Sequence, residues 1–373
     1  MKFYRPAFVE IDLGAIRHNL HKIEAIAGNN VKILGVVKKD AYGHGAEQVS
    51  RTLLEEGVEY LGVASLDEAR ELRKKAIKSK IIVLGAILPQ EAEGVIKFDV
   101  IQAVSDMEIA KALSKLGQAG HRHIKVHIKI DTGMGRLGFW HGEAVGFVKK
   151  IFSLQNIIID GIFTHFPSAE DDLAFTRRQI KDFNSLVEEL ERCNIHIPIK
   201  HASNSMALVN FKESHMNMVR PGIIMYGLCP RNDLIKRLEL KPAFKLKTKI
   251  THLKRLSKGR SVSYGRTYIA KRNTVIAAIP VGYGDGYSRH LSNRADVLIR
   301  GSRVPIAGRI CMDMTMIDVG SLANVKVGDD VVLVGVQGKE AVTIEELAGL
   351  IGTIPYEVVC NIGARLPHIY KNA

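Results

Sequence analysis

Short apolar runs recur along the first two-thirds of the chain, with segments of helical period between them, such as Asp172 to Glu191, where Phe175, Ile180, Phe183, Leu186 and Leu190 fall three to five positions apart. The runs are Ile33 to Val37, Tyr60 to Ala64, Ile81 to Leu84, Val100 to Val104, Ile124 to Ile130, Ile158 to Phe163, Ile199 to Ala202 and Met216 to Arg220. Runs of this kind, bounded by polar residues, are what strands buried on both faces look like, and the intervening period is that of amphipathic helices. An entry helix carrying Asn19, Leu20, Ile23 and Ile26 precedes the first run. Helical segments follow at Leu53 to Glu56, Leu66 to Ala76, Asp106 to Gly117, Val145 to Phe152 and Asp172 to Glu191. Eight strands alternating with helices, over a length close to the usual ~250 residues, predict an α/β fold built on an eight-stranded parallel β/α (TIM-like) barrel. An open doubly wound sheet is the alternative. Around Leu238 to Phe244 the helical period stops, and short strand-like runs bounded by Gly, Pro and Asn take over: Lys245 to Leu253, Thr274 to Pro280, Asp296 to Ile299, Val304 to Ala307, Thr315 to Val319 and Val331 to Val336. One late helix is expected, Thr343 to Leu350, with Thr343 as cap and Glu346 three positions on. The expected organisation is therefore a barrel domain over residues 1–240 and a mainly β C-terminal domain over 241–373.

Composition changes this picture little. The 373 residues are 46% hydrophobic and 25% charged, enough for a large core and a smaller domain. No apolar run is long enough to span a bilayer, and the start runs into Glu10 and Asp12 without the apolar centre of a signal peptide, so the expectation is a cytoplasmic protein with no membrane partner. Cys193, Cys229, Cys311 and Cys360 lie far apart and read as reduced thiols. The net charge of +14 is spread over the whole length in pairs such as Lys74-Lys75 and Arg177-Arg178, with no aromatic-basic motif, which argues against nucleic acid and suits a small anionic ligand.

The candidate chemistry sits where the predicted strands end. Val36-Val37-Lys38-Lys39-Asp40-Ala41-Tyr42-Gly43-His44-Gly45 passes abruptly from apolar to polar, placing a lysine at the carboxyl end of a buried strand, where an amine loses charge readily and can form a Schiff base. Taken alone, a lysine there reads more readily as a solvated loop residue. Other strand ends, however, are just as polar: Lys129, Asp131 and Arg136; Thr164 and His165; His201, Ser203, Asn204 and Ser205; and Arg220 before Pro221-Gly222-Ile223. On the fifth strand, His127, Lys129 and Asp131 share the face opposite the aliphatic residues and are expected to point into the barrel. His121, His123 and His127 lack an accompanying acidic ligand set, so no metal is expected. Tyr42, Ser205 and the backbone N–H groups of Gly222 and Ile223 suit a phosphate. With Lys38 opposite, pyridoxal 5'-phosphate is the natural ligand, although a sugar phosphate would use the same cradle.

The motifs together resemble those of the bacterial alanine racemases. They are Arg5-Pro6 with Glu10-Ile11-Asp12-Leu13, Val36 to Gly45, Asp131 to Gly138, Thr164-His165-Phe166, Asn204-Ser205, Arg220-Pro221-Gly222, Ser263-Tyr264-Gly265-Arg266, Gly282-Tyr283, Gly308 to Asp313, and Tyr356-Glu357. The resemblance implies that Lys38 carries the cofactor and serves one face of the substrate Cα, while Tyr264 serves the other. A proton removed on one side must be returned on the other, so two bases are needed. It implies that Arg220 meets the pyridine nitrogen, that His165 links this arginine to the tyrosine, and that Asn204 supports the same ring edge. Tyr42, Ser205, Gly222, Ile223 and Tyr356 would hold the cofactor's phosphate end. Arg136, Met312, Asp313 and Tyr283 would receive and enclose the substrate, and Lys129 would be carbamylated to an anion that fixes Arg136. It further implies L- and D-alanine as substrates, D-alanine for peptidoglycan as the product's use, and a homodimer in which Tyr264 and its neighbours enter the partner's site.

Three positions depart from the family pattern. Lys39 stands where alanine is common, Gly284 replaces an alanine beside Tyr283, and His368 follows Leu366-Pro367 where arginine is frequent. A broad-specificity racemase would keep both bases and widen the gate that Tyr283, Met312 and Tyr356 narrow. A basic amino-acid decarboxylase would keep the lysine but lack Tyr264 in its setting. A noncatalytic pyridoxal-phosphate-binding protein would be a lone barrel, without the second domain.

Overall fold

The computed structural model describes residues 4–230, 232–363 and 365–373. The chain divides into two compact units. One contains Leu20–Ala41 and Ala46–Met225; the other contains the N-terminal residues to Asn19, Tyr42–Gly45 and Tyr226–Ala373.

The first element is a strand the periodicity reading did not include, β1 (Ala7–Asp12), followed by the entry helix α1 (Leu13–Ala27). All eight expected barrel strands then form: β2 (Lys32–Val36), β3 (Tyr60–Val63), β4 (Lys80–Val83), β5 (Ile101–Val104), β6 (Ile124–Asp131), β8 (Ile157–Phe163), β9 (Ile199–His201) and β10 (Met218–Val219), with a short β7 (Phe139–Trp140) beside β6. They pair in parallel in the order β10-β2-β3-β4-β5-β6-β8-β9. Arg220 N–H donates to the Ser203 carbonyl at 3.0 Å, tying the segment after β10 to the segment after β9. Leu34, Tyr60, Ile82, Ile101, Ile199 and Met218, from six different strands, form one buried cluster. Only the interior of a ring brings them together, so the expected barrel is the fold and an open sheet is not.

The helices start where capping chemistry allows. Ser65 accepts from Glu68 N–H at the head of α4 (Leu66–Lys74), Asp106 from Ile109 N–H before α6 (Met107–Ala119), and Asp172 from Phe175 N–H before α8 (Leu173–Arg192). On α8 the stripe Thr176, Gln179, Ile180, Phe183, Leu186 and Leu190 is buried.

The second unit is mainly β, as expected. Its larger sheet runs in the order β17 (Ser302–Pro305), β16 (Asp296–Ile299), β19 (Asp330–Gln337), β11 (Phe244–Lys249), β1, β21 (His368–Lys371). β1 lies antiparallel to β11 and parallel to β21, so the N-terminal strand is part of this sheet. A three-stranded sheet of β12 (His252–Leu256), β15 (Thr274–Ile279) and β18 (Thr315–Asp318) sits in the same unit. The expected late helix is α11 (Ile344–Ile351), capped by Thr343, but a second one follows, α12 (Pro355–Asn361), with proline in its first turn.

Candidate functional site

The polar turn after β2 is built against the intrinsic preference of its residues. Val37 N–H bonds the Gly62 carbonyl at 2.9 Å, keeping the chain in the sheet up to Lys38. The helical segment α2 (Lys38–Gly43) then runs with φ of +53° at Lys39, +52° at Asp40, +53° at Ala41, +55° at Tyr42 and +79° at Gly43. It is a left-handed turn made largely of non-glycine residues, a conformation costing roughly 1–2 kcal/mol per residue. Local bonds hold it: Ala41 N–H to the Val37 carbonyl (2.8 Å), Lys39 N–H to Glu68 Oε1 (2.7 Å), and Ala46 N–H to Asp40 Oδ1 (2.7 Å). Lys38 is half-buried and Lys39 exposed. Strain of this kind is concentrated where a side chain must be aimed.

Across the carboxyl ends of β6, β8, β9 and β10 the expected residues converge on Arg220. Its guanidinium is buried, and its Nη2 donates to the Thr164 carbonyl (2.7 Å), the Ala202 carbonyl (2.9 Å) and, more weakly, His165 Nδ1 (3.3 Å). Nη1 donates to His201 Nδ1 at 3.1 Å. Because a guanidinium only donates, both histidines must accept at Nδ1 and are neutral rings with the proton on Nε2. Burial first, and the Arg220 cation next, push His165 and His201 well below the ordinary histidine value, with Lys129 adding to both and Arg136 and Lys38 to His165. Among the described residues Nε of Arg220 has no hydrogen-bond acceptor. The buried arginine therefore offers a further guanidinium N–H to a neutral acceptor.

Lys129 is buried on the barrel-facing side of β6, as its alternation predicts, and its Nζ donates to the Ile130 carbonyl at 2.6 Å. Asp131 does not pair with it directly; its Oδ1 accepts from Gly133 and Met134 N–H, each at 2.8 Å, and so shapes the glycine-rich loop that presents the exposed Arg136. Burial, then the neighbouring Arg220, lower the Lys129 amine to about 7. At neutral pH much of it is a free amine.

The candidate phosphate end is partly wired. Ser205 Oγ accepts from Gly222 N–H at 2.9 Å, which leaves the hydroxyl proton available, and Ile223 follows at the start of a 3-10 turn. Asn204 is occupied otherwise: its Oδ1 caps α9 (Ser205–Asn210) through Ala207 N–H at 3.0 Å, and its Nδ2 donates to the Phe166 carbonyl at 3.0 Å.

In the β unit the remaining residues form two groups. Tyr42 packs against Tyr226 and Tyr356, with ring centroids 5.1 and 6.1 Å away. Tyr264 is 70% exposed at the tip of a turn flanked by Ser263, Gly265 and Arg266, all at positive φ. Ser263 Oγ–H bonds the Arg309 carbonyl, and a Cβ on Gly308 would lie 2.7 Å from the Val262 carbonyl, so the Tyr264 and Gly308 to Asp313 motifs are one structure. Tyr283 N–H bonds the Cys311 carbonyl (3.0 Å) and Gly284 N–H the Met312 carbonyl (2.8 Å). Tyr264, Tyr283 and Met312 are thus set out on linked, exposed turns, and Asp313 is paired with Arg365 at 3.1 Å.

Some supporting residues were given no role in the site from the sequence. His368 Nε2 contacts the Gly43 carbonyl at 3.0 Å, pinning the end of the left-handed turn to β21. Phe163 stacks on His201, with centroids 4.7 Å apart, and its ring lies 5.4 Å from each of Lys129 Nζ and the Arg220 guanidinium. Asp160 approaches His127, which bonds His201 at 2.8 Å. An acidic residue inside the aliphatic run Ile158 to Phe163 was the available signal. No group of three His, Cys, Asp or Glu side chains among the described residues could hold a metal ion, and no helix of those residues is long and apolar enough to cross a membrane.

Two family models match the chain: alanine racemase, N-terminal domain, over residues 11–230, and alanine racemase, C-terminal domain, over residues 243–370. The chain is 48% identical over 369 residues to an alanine racemase of Halothermothrix orenii, covering 99% of this chain and 97% of the relative. It is 45% identical to one from Methanococcus maripaludis, covering 98% of each. Among solved structures, an alanine racemase of Clostridium difficile 630 is similar with a TM-score of 0.94 at 39% identity, covering 99% of this chain and 97% of the other.

Proposed function

We propose, from the premise that this chain belongs to the alanine racemase family and is a racemase, that it interconverts L- and D-alanine with bound pyridoxal 5'-phosphate and two bases from opposite sides. The observation that carries the reading is the buried Arg220, with an unspent Nε–H and two neutral histidines accepting from it. Such a donor fits a pyridine nitrogen that stays unprotonated. The half-buried Lys38 on its strained turn is the attachment point. Ser205, Gly222 and Ile223 receive the phosphate, together with hydroxyls from Tyr42 and Tyr356, while Asn204 acts through the Phe166 carbonyl and the α9 cap.

When bound, pyridoxal phosphate supplies an electron sink that makes the substrate Cα–H acidic. Arg220 remains a cation beside that sink, which limits its strength and restrains reactions other than proton exchange. Lys38 takes or returns the proton on one side of Cα. Tyr264, from a partner subunit, does so on the other, and His165, with its proton on Nε2, is the proposed link between Arg220 and that phenol. Arg136 and the Met312 backbone N–H receive the substrate carboxylate, and Asp313 holds that loop through Arg365. Tyr283, Met312 and Tyr356 are assigned to narrow the entrance, which would favour a small side chain such as that of alanine over a broad substrate range. Lys129, already drawn down to about 7, is a free amine that reacts with carbon dioxide to give a carbamate anion, the counterion Arg136 lacks among the described residues. The product's use as D-alanine for peptidoglycan follows from the same reading.

The test is chiral analysis of the pyridoxal-phosphate-loaded protein in deuterated water with L-alanine, L-serine, L-lysine and L-arginine in separate tubes. D-alanine carrying deuterium at Cα, with little change elsewhere, is the expected result. D-isomers of the large amino acids would overturn the gate assignment, and amines alone would overturn the two-base assignment.

A further inference from the structure

We propose that Asp160 is the remote counterion of Arg220, connected to it through His201 and His127, and that it acts as a positioning residue for the arginine that faces the cofactor. The proposal rests on the reading of Arg220 given above. A guanidinium buried to this degree normally has a carboxylate in contact. Among the described residues Arg220 has none; its partners are two carbonyls and two histidines.

The hydrogen-bond directions lead from Arg220 to one place. Arg220 Nη1–H donates to His201 Nδ1, so the His201 proton is on Nε2. His201 Nε2 lies 2.8 Å from His127 Nδ1, which must then accept, leaving the His127 proton on its own Nε2. That Nε2 is buried, has no hydrogen-bond partner, and faces Asp160 Oδ2 at 3.7 Å. Every donor in the relay points away from the arginine and toward the carboxylate, and aligned hydrogen bonds polarise one another in a low-dielectric interior.

The backbone is shaped to permit this. The β6–β8 register passes from Val126 opposite Ile159 to His127 opposite Gly161, so Asp160 is the extra residue of a β-bulge. A bulge re-aims a side chain that regular alternation would send to the other face. At Gly161 an added Cβ would come within 2.5 Å of the His127 ring, so the residue after the bulge leaves the space the ring fills.

Other charges bear on the relay. Asp160 also pairs with Lys125 at 3.3 Å, but that lysine is half exposed and its attraction is screened. Arg136, and Lys129 while it is protonated, add positive charge around Arg220 and His165. Burial alone draws Arg220 down to about 9. A carboxylate at the end of the relay opposes that fall; removing its charge moves Arg220 deprotonation to lower pH.

The experiment uses the full-length protein with 15N-labelled histidine, with and without pyridoxal phosphate, as wild type, Asp160→Asn, Asp160→Glu and Lys125→Met. In the cofactor-free wild type, His127 and His201 should both show a protonated Nε2 and an unprotonated Nδ1. The alkaline transition of the His201 Nδ1 signal, which reports loss of the Arg220 donor, should fall by about one pH unit in Asp160→Asn. In the loaded protein the same variant should lose about tenfold in kcat with KM for alanine within about twofold. Asp160→Glu should recover most of both, and Lys125→Met should change neither. A proton on Nδ1 of either histidine, or an Asn variant with unchanged transition and kcat, overturns the proposal. So does Lys125→Met reproducing the Asn result, because Asp160 would then serve only that lysine. The cofactor-free measurements decide the relay even if the protein proves unable to racemise alanine, an outcome that would overturn the functional reading alone.

Discussion

At the level of single residues, Tyr264 and Lys129 carry the sharpest expectations. Replacing Tyr264 by Phe removes one hydroxyl from a 70% exposed ring and touches no core packing. Stability and pyridoxal phosphate absorbance should therefore survive, while racemisation falls by on the order of 10²–10⁴; retention of activity would end the two-base reading. For Lys129 the sign of the pH effect is fixed by its environment. Its amine is drawn from 10.5 to about 7 by burial and by Arg220, so between those values the folded protein holds it neutral while the unfolded chain binds the proton. Unfolding free energy should then rise with pH across that window in carbon-dioxide-free buffer. Lys129→Met should flatten the rise in urea titrations. With 13C-labelled carbon dioxide added, a carbamate signal should grow as pH passes about 7, and its absence at pH 8 would remove Lys129 from the role proposed for it. The Gly284 departure is mild by comparison: a Cβ there would meet the Arg365 guanidinium at 2.4 Å, and that exposed side chain can move.

At the level of elements, the left-handed turn α2 shows both the reach and the limit of sequence pattern. That a lysine ends a buried strand was readable from the apolar-to-polar break at Val37. That the next residues wind left-handed was not, because Lys39, Asp40, Ala41 and Tyr42 carry no intrinsic preference for positive φ; tertiary bonds from Glu68 and Ala46, with His368 on Gly43, impose it. This gives a test of which adjacent lysine matters. Lys39→Gly relieves strain at a position whose side chain is exposed, so stability should rise by about 1 kcal/mol with cofactor loading intact. Lys38→Ala should abolish covalent loading, and loss of loading in the Lys39 variant instead would reverse the assignment. The eight barrel strands were legible for a related reason: strands buried on both faces are written as continuous apolar runs. β1 was equally written, as buried Ala7, Val9 and Ile11 alternating with Phe8, Glu10 and Asp12, but its partners β11 and β21 lie more than two hundred residues away. Helix α12 is too short for periodicity to mark, and only Pro355 signalled its start. The Asp160 bulge was hidden because a bulge shifts alternation by one residue, which pattern alone reads as a simple strand.

At the level of the whole molecule, the candidate residues fall into two sets held by different units: Lys38, Lys129, Arg136, His165 and Arg220 in the barrel, and Tyr264, Tyr283 and Met312 on exposed turns of the β unit. Large apolar side chains left 42–70% exposed on adjoining turns are costly unless something covers them, and the proposed cover is the barrel mouth of a second copy. A shared site makes a prediction that a self-contained one does not. In a shared site Lys38→Ala would be defective only in the barrel contribution and Tyr264→Phe only in the β-unit contribution, so each homodimer would have two dead sites. When the two are unfolded or dissociated together and reassembled, a heterodimer combines both defects in one site and neither in the other. With random pairing, half the dimers are mixed and half their sites intact, so activity should recover to about a quarter of wild type. The recovery should require reassembly, fall on dilution as the dimer dissociates, and be absent when either variant is mixed with itself. If mixing restores nothing while each variant remains dimeric by sedimentation, Lys38 and Tyr264 act within one chain, and the exposed turns need a different explanation.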